Sequence, residues 1–194
     1  MGIRLANENE LSQIMAIFEQ AKEILKNDGI DQWQNGYPNM EVVRDDYEKK
    51  QLYVYIEEDS SSQNAANSDT SAGSETMGNQ AVPKVIATCV VSYEEKGIYE
   101  TSLNGKWAVD GKYAAVHRVA VSIDAKRKGY AQELMKFAYE KAKENNCKSV
   151  RVDTHSDNKR MQRVLEKTGY EFRGILTYDK DATVFRNAYD IVIK

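Results

Sequence analysis

Leu11, Ile14, Met15, Phe18, Ala21 and Leu25 recur at three- and four-residue intervals and so fall on one face of a helix. Asn7, with Glu10 three positions on, supplies the capping pattern that starts this helix, and Asn27-Asp28-Gly29 stops it. Residues 3–5, ahead of it, read as a short strand. Residues 30–38, Ile-Asp-Gln-Trp-Gln-Asn-Gly-Tyr-Pro, form an aromatic, turn-rich loop, and a second helix is predicted over 39–49. The segments 52–57, 85–93, 113–121 and 149–154 then read as strands two to five. Between the last two, residues 129–144 place Ala131, Leu134, Met135, Ala138 and Ala142 on one helical face. Asp157 or Asn158 caps a further helix through Thr168, Gly169 sits at its C′ position, and 170–177 and 183–192 are two closing strands.

Two stretches interrupt the pattern. Residues 59–82 are Ser, Asn, Ala, Gly, Thr and Gln with almost no bulky apolar side chain, too little buried surface to offset the cost of ordering. They predict a flexible excursion between two strands, since each doubling of a surface loop costs only about 0.6 kcal/mol. Residues 94–112 are a polar connection carrying Tyr99 and Trp107. The order β-α-α-β-β-β-α-β-α-β-β is mixed α/β. A chain of 194 residues suits a single domain, 1–194, holding that insertion.

Composition narrows the function classes. With 41% hydrophobic residues the chain can bury a core, and a net charge of −3 argues against a nucleic-acid partner, which favours a basic face. There is no apolar signal region and no apolar run of about 18 residues, which argues against export and a membrane partner. Cys89 and Cys147 make neither a disulfide framework nor a metal site, and the expectation is a reducing cytoplasm with both as core filler.

The chemistry concentrates in residues 117–131, His-Arg-Val-Ala-Val-Ser-Ile-Asp-Ala-Lys-Arg-Lys-Gly-Tyr-Ala. A strand feeds a basic turn with one glycine into a helix start. The first N–H groups of a helix have no partner inside it and point at whatever sits on the turn. Lys126, Arg127 and Lys128 add charge there, and Gly129 removes the Cβ that would hold a phosphate away from the backbone. The turn lacks both the Gly-Lys-Ser/Thr ending of a P-loop and the three spaced glycines of a dinucleotide fingerprint.

This segment resembles the acyl-CoA loop of the GNAT superfamily of N-acetyltransferases: an Arg or Gln, two residues, Gly, one residue, then Gly or Ala, after a Val-x-Val strand end. Gly129, Ala131 and Val119-Ala120-Val121 match, and Lys126 stands where Arg or Gln is usual, keeping the charge without the planar fork. Residues 153–170 are similar to the family's second signature, a capped helix closing on Lys-x-Gly-aromatic. With these two segments the resemblance covers nearly the whole chain outside 59–82. It implies the GNAT fold: a mixed, mostly antiparallel sheet splayed between strands four and five, with about four helices and acetyl-CoA in the gap. It implies that Val119, Ala120 and Val121 pair with the pantetheine arm. It also implies that 126–131, Tyr130 included, hold the pyrophosphate, that Asn158 bonds the arm, and that an N–H near Val121 faces the thioester oxygen. For Asn158 a plain N-cap is the other reading.

The implied activity is transfer of an acetyl group to a primary amine, small or peptidic. An amine of pKa around 10 is protonated at neutral pH, and His117 is the candidate to take its proton. Period-two alternation puts 117, 119 and 121 on one strand face. A satisfied polar group within the strand is the competing reading for His117. His155 reads as a helix-entry residue. Trp33, Gln34 and Tyr37 in the aromatic loop, with Trp107 and Tyr113 on the other side, are candidates to line the acceptor pocket. Many family members carry a Tyr four residues before the glycine of the second signature; here that position is Leu165, which cannot protonate a thiolate, leaving Tyr130, Tyr170 or water. A non-catalytic acyl-CoA-binding module is therefore the alternative. Oligomeric state stays open, with a homodimer the common default.

Overall fold

The computed structural model describes residues 2–57, 83–94, 99, 103–125, 128–178 and 184–194. The excursion expected at 59–82 lies outside them, as do Lys126 and Arg127. Eight strands form one sheet: β1 (Gly2–Leu5), β2 (Leu52–Glu57), β3 (Lys84–Glu94), β4 (Leu103–Gly105), β5 (Tyr113–Val121), β6 (Ser149–Thr154), β7 (Glu171–Thr177) and β8 (Phe185–Val192). Their order is β1-β2-β3-β5-β6-β8-β7-β4. Four helices, α1 (Leu11–Asn27), α2 (Met40–Glu48), α3 (Tyr130–Glu144) and α4 (Lys159–Lys167), are the α-helices of nine or more residues among those described.

The helices lie where their apolar faces predict. Leu11, Ile14, Ile17 and Phe18 of α1 pack with Val43 of α2 onto Leu52, Val54 and Val90 on one side of the sheet. Leu134, Met135, Ala138 and Ala142 of α3, with Leu165 of α4, fill the other side against Ala114, Val116, Val150 and Val152. Asn7 N–H donates to the Glu10 carboxylate (2.7 Å), so the expected capping contact exists, on a 3-10 turn that precedes α1. Asn158, not Asp157, caps α4: its Oδ1 accepts from Met161 N–H at 3.1 Å. Cys89 and Cys147 are both buried, and burial pushes the Cys89 thiol up to about 12, so it stays protonated and inert. No helix among the described residues is long and apolar enough to cross a membrane.

β4 was not expected inside the polar 94–112 connection. Leu-Asn-Gly is too short for a periodic signal, and it pairs with β7 because two glycines face each other there, Gly105 and Gly174. A Cβ on Gly174 would overlap the carbonyl oxygen of Asn104, and Gly174 also has φ +145°. Gly174→Ala is expected to lower the unfolding free energy by about 2 kcal/mol and to speed amide exchange at 103–105. Urea unfolding and hydrogen exchange measure both, and a stability equal to the native protein's would show that the close approach relaxes freely.

Candidate functional site

Among the described residues every neighbouring strand pair is antiparallel except β5 and β6. That parallel pair runs only from Tyr113 beside Ser149 to Val116 beside Val152. Beyond it, residues 117–121 stay on β3 while Asp153 and Thr154 stay on β8, and the two strands part. The gap opens into a cleft of about 1250 Å³, walled by β5, β6, α1, the start of α3 and α4. The splay expected between the fourth and fifth sequence strands is here, between β5 and β6.

The β5 wall carries a bulge. Val90 faces His117 and Thr88 faces Ala120, so two residues, Arg118 and Val119, stand opposite Cys89 alone. Arg118 takes φ +51°, a left-handed conformation that a side chain with a Cβ resists. The extra residue inverts the alternation and corrects the expected common face. Val119 and Val121 turn to the α3 side with Ala114 and Val116. Tyr113 and Ala115 lie in the opposite cluster. The His117 ring stands 6.0 Å from the Tyr99 ring of that cluster. All three residues still line the cleft, because the gap cuts through the sheet.

Arg118 anchors the bulge. Its Nη2 donates to Asp46 Oδ1 of α2 at 2.5 Å, and its Nη1 donates to the Tyr37 hydroxyl at 2.6 Å. Asp46 is almost fully buried; burial raises its carboxyl above the usual range against the pull of Arg118. Neither residue stood out in the sequence, since a lone Asp on a helix and a lone Arg in a strand carry no spacing signal.

Gly129 is the residue before α3, at φ +86°, and a Cβ there would meet only the Gln132 side chain at 3.6 Å. Gly129, Tyr130, Ala131 and Gln132 bring the N-terminal turn of α3 to the cleft. Tyr130 packs edge-on against Tyr55 (4.8 Å). Lys128 is exposed and is not among the lining residues, so the structure does not bring it to the wall with its neighbours.

Of the predicted acceptor residues, Trp33 and Tyr37 line the cleft, with Trp33 edge-on to Phe18 (5.6 Å). Gln34 does not: its amide donates to the carbonyls of Lys22 (3.2 Å) and Gln32 (3.1 Å), fastening the loop to α1. Trp107 does not either. It is 7% exposed, its ring is covered by the Arg151 guanidinium at 4.6 Å, and its N–H donates to the Tyr99 carbonyl at 2.5 Å. An indole with its body buried and its one donor satisfied is core, and the polar sequence around it hid that. Asn158 lines the cleft while capping α4, and its Nδ2 rests 3.4 Å from Gln32 Oε1. His155 Nδ1 accepts from Asp157 N–H at 3.1 Å, a helix-entry contact. Leu165 and Tyr170 are both buried in the core under α3 and α4, which leaves Tyr130 as the one of the two suggested tyrosines that reaches the cleft.

Sequence reasoning missed Asp153. It sits at the end of β6, on the cleft wall, and its Oδ1 accepts from the hydroxyls of Tyr99 (2.5 Å) and Tyr178 (2.7 Å).

A mixed sheet parting beside a helix start that a left-handed glycine precedes defines a class of acyl-CoA-dependent transferases. Residues 27–170 match the profile of the Acetyltransferase (GNAT) family, and the chain belongs to that family. A GNAT-family acetyltransferase from Streptococcus agalactiae 2603 is 28% identical and superposes with a TM-score of 0.78, over 100% of this chain and 95% of that one. One from Listeria monocytogenes 4b F2365 shares the fold at 16% identity and a TM-score of 0.63, over 98% of this chain and 94% of the other. The NatC complex bound to Gag peptide and CoA contains a chain of the same fold, 12% identical, TM-score 0.63, over 100% of this chain and 98% of that one. No curated protein sequence matches the chain significantly.

Asp46→Asn would leave the Arg118 guanidinium without its anion. It is expected to cost about 3 kcal/mol of stability, whereas Asp45→Asn, which breaks the exposed pair with Lys49, is expected to cost less than about 0.5 kcal/mol. Urea unfolding of both variants measures the contrast; equal losses would remove Arg118–Asp46 as the anchor.

Proposed function

We propose that the protein moves an acetyl group from acetyl-CoA to a primary amine by direct attack in a ternary complex, in the cytoplasm. One observation carries this reading: β5 and β6 part after Val116 and Val152 beside the first N–H groups of α3, which no side chain caps. The residues fit the donor. Past Val116 the β6-facing edge of β5 has no strand partner among the described residues, so those backbone groups of 119–121 that point away from β3 can pair with the amide-rich pantetheine arm, while Ala120 stays on Thr88 of β3. The first amides of α3, at 129–131, suit a diphosphate, and Gly129 adds no Cβ in its path. Lys126 and Arg127 precede this turn in sequence and would add charge, as would Lys128. Asn158 would bond the arm through Nδ2, giving up its long contact to Gln32.

Acetyl-CoA supplies an acyl carbon already activated as a thioester. The protein's part is then to position the amine, at an effective concentration far above that in solution, and to receive charge and proton. A backbone N–H at 119–121, near Val121, would donate to the thioester oxygen; losing one such donor elsewhere costs about 3–4 kcal/mol of barrier. His117, on the cleft wall, takes the proton of the attacking amine. Trp33 and Tyr37 form the acceptor side. The leucine at 165 favours one other reading, a binding module that holds acyl-CoA without chemistry, because it cannot protonate a leaving thiolate.

Calorimetry with acetyl-CoA and CoA, joined to an amine screen, separates the two: binding with transfer supports the enzyme, binding without transfer to any amine the module, and no binding overturns both. Gly129→Val is expected to weaken CoA at least about tenfold, through left-handed strain and a blocked approach. His117→Ala is expected to lower kcat/KM about a hundredfold and to alter the dependence of rate on pH. An unchanged pH profile would remove His117 as the proton acceptor.

A further inference from the structure

At the point where β5 and β6 separate, the cleft wall presents a carboxylate that the acyl donor has no use for. Asp153 Oδ1 accepts from two phenols that arrive from distant parts of the chain, Tyr99 at 2.5 Å and Tyr178 at 2.7 Å. Both contacts converge on Oδ1. Among the described residues no Lys, Arg or His stands within ion-pair distance of Asp153. Arg186, on the same wall, donates from Nη1 to the Phe185 carbonyl oxygen instead (2.8 Å). Burial first, and then the adjacent carboxylate, hold both tyrosine hydroxyls well above their ordinary range, so each stays a donor at neutral pH. Two fixed donors on one oxygen set the orientation of the carboxylate on the cleft wall. Tyr99 joins this group to the proposed proton acceptor: its hydroxyl is on Asp153 and its ring is 6.0 Å from that of His117. An oriented, half-buried carboxylate on a cleft wall, with no cation of its own among the described residues, is a receptor for a nitrogen cation.

We infer that Asp153, held by Tyr99 and Tyr178, is an ammonium subsite, and that the acceptor carries a second cationic nitrogen besides the amine that is acylated. This rests on the transferase reading and specifies its substrate class. The nitrogen held at Asp153 is not the nucleophile. A carboxylate partner raises an ammonium's pKa and opposes the loss of proton that attack requires. The reacting amine is therefore the other one, beside His117, and Asp153 fixes its reach by holding the far end of the molecule.

The test is a series of α,ω-diaminoalkanes, from diaminopropane to diaminohexane, set against monoamines of matching carbon count, with acetyl-CoA as donor. The native protein is expected to prefer the best diamine by about 30-fold in kcat/KM, the size of a charge-assisted contact. Asp153→Asn keeps an acceptor for both phenols; it is expected to bring that preference close to parity, with CoA affinity by calorimetry unchanged. Tyr178→Phe removes one phenol and is expected to give a smaller fall in the same ratio, and it serves should the first variant not fold. Equal use of diamines and monoamines by the native protein overturns the subsite, as does use of neither while CoA binds, or an Asp153→Asn variant that slows both alike. A protein that ignores CoA in calorimetry overturns the transferase reading first, and this one with it.

Discussion

The separation of β5 from β6 depends on the bulge at Arg118–Val119. A regular β5 would keep its alternation and its line, and a parallel neighbour could follow it to the end. One extra residue opposite Cys89 bends the strand and turns its backbone edge out of register just where pairing stops, at Val116. In this bulge the residue at positive φ is Arg118 rather than glycine. The strain is held by the ion pair from Arg118 to Asp46 and by the Tyr37 hydroxyl. The same contacts tie α2 and the aromatic loop to the β5 wall, so two sides of the cleft share one anchor.

Two cores make this arrangement stiff. α1 and α2 press one face of β2 and β3, and α3 with α4 presses the other face of β5 and β6. The third cluster, around Tyr99, Trp107, Tyr113 and Leu176, supports the end of the sheet where Asp153 lies. Arg151 is buried within it, its guanidinium 4.0 Å from the Tyr113 ring centroid and 4.6 Å from that of Trp107. The aromatic side chains that the sequence assigns to a substrate pocket therefore divide. Trp33 and Tyr37 face the cleft, and Trp107 and Tyr113 build the floor under its polar end.

Most of the architecture was readable from residues. The helices follow from a 3.6-residue period strong enough to survive the interruptions, and β5 and β6 match their expected limits at both ends. The GNAT fold was readable from Val119 to Ala131 and from the second signature, and the family match agrees. What could not be read is whatever depends on one residue out of step. Period-two counting put His117, Val119 and Val121 on one face because a bulge leaves no mark in an alternating string. β4 escaped because Gly105 and Gly174 meet across the sheet, at a separation no local pattern encodes. Asp46, Arg118 and Asp153 escaped because each is an ordinary charged residue until the fold supplies its partner. Gln34 and Trp107 lie off the cleft for the converse reason: their polar atoms look free in the sequence and are satisfied by Lys22, Gln32 and Tyr99 carbonyls in the structure.

The parted strands are the proposed seat of the coenzyme. Amide hydrogen exchange of the native protein with and without CoA tests this directly. Slowing on CoA addition is expected to be concentrated at 117–121 and 129–132. CoA that binds while those amides exchange unchanged, with protection appearing elsewhere on the chain, would contradict it.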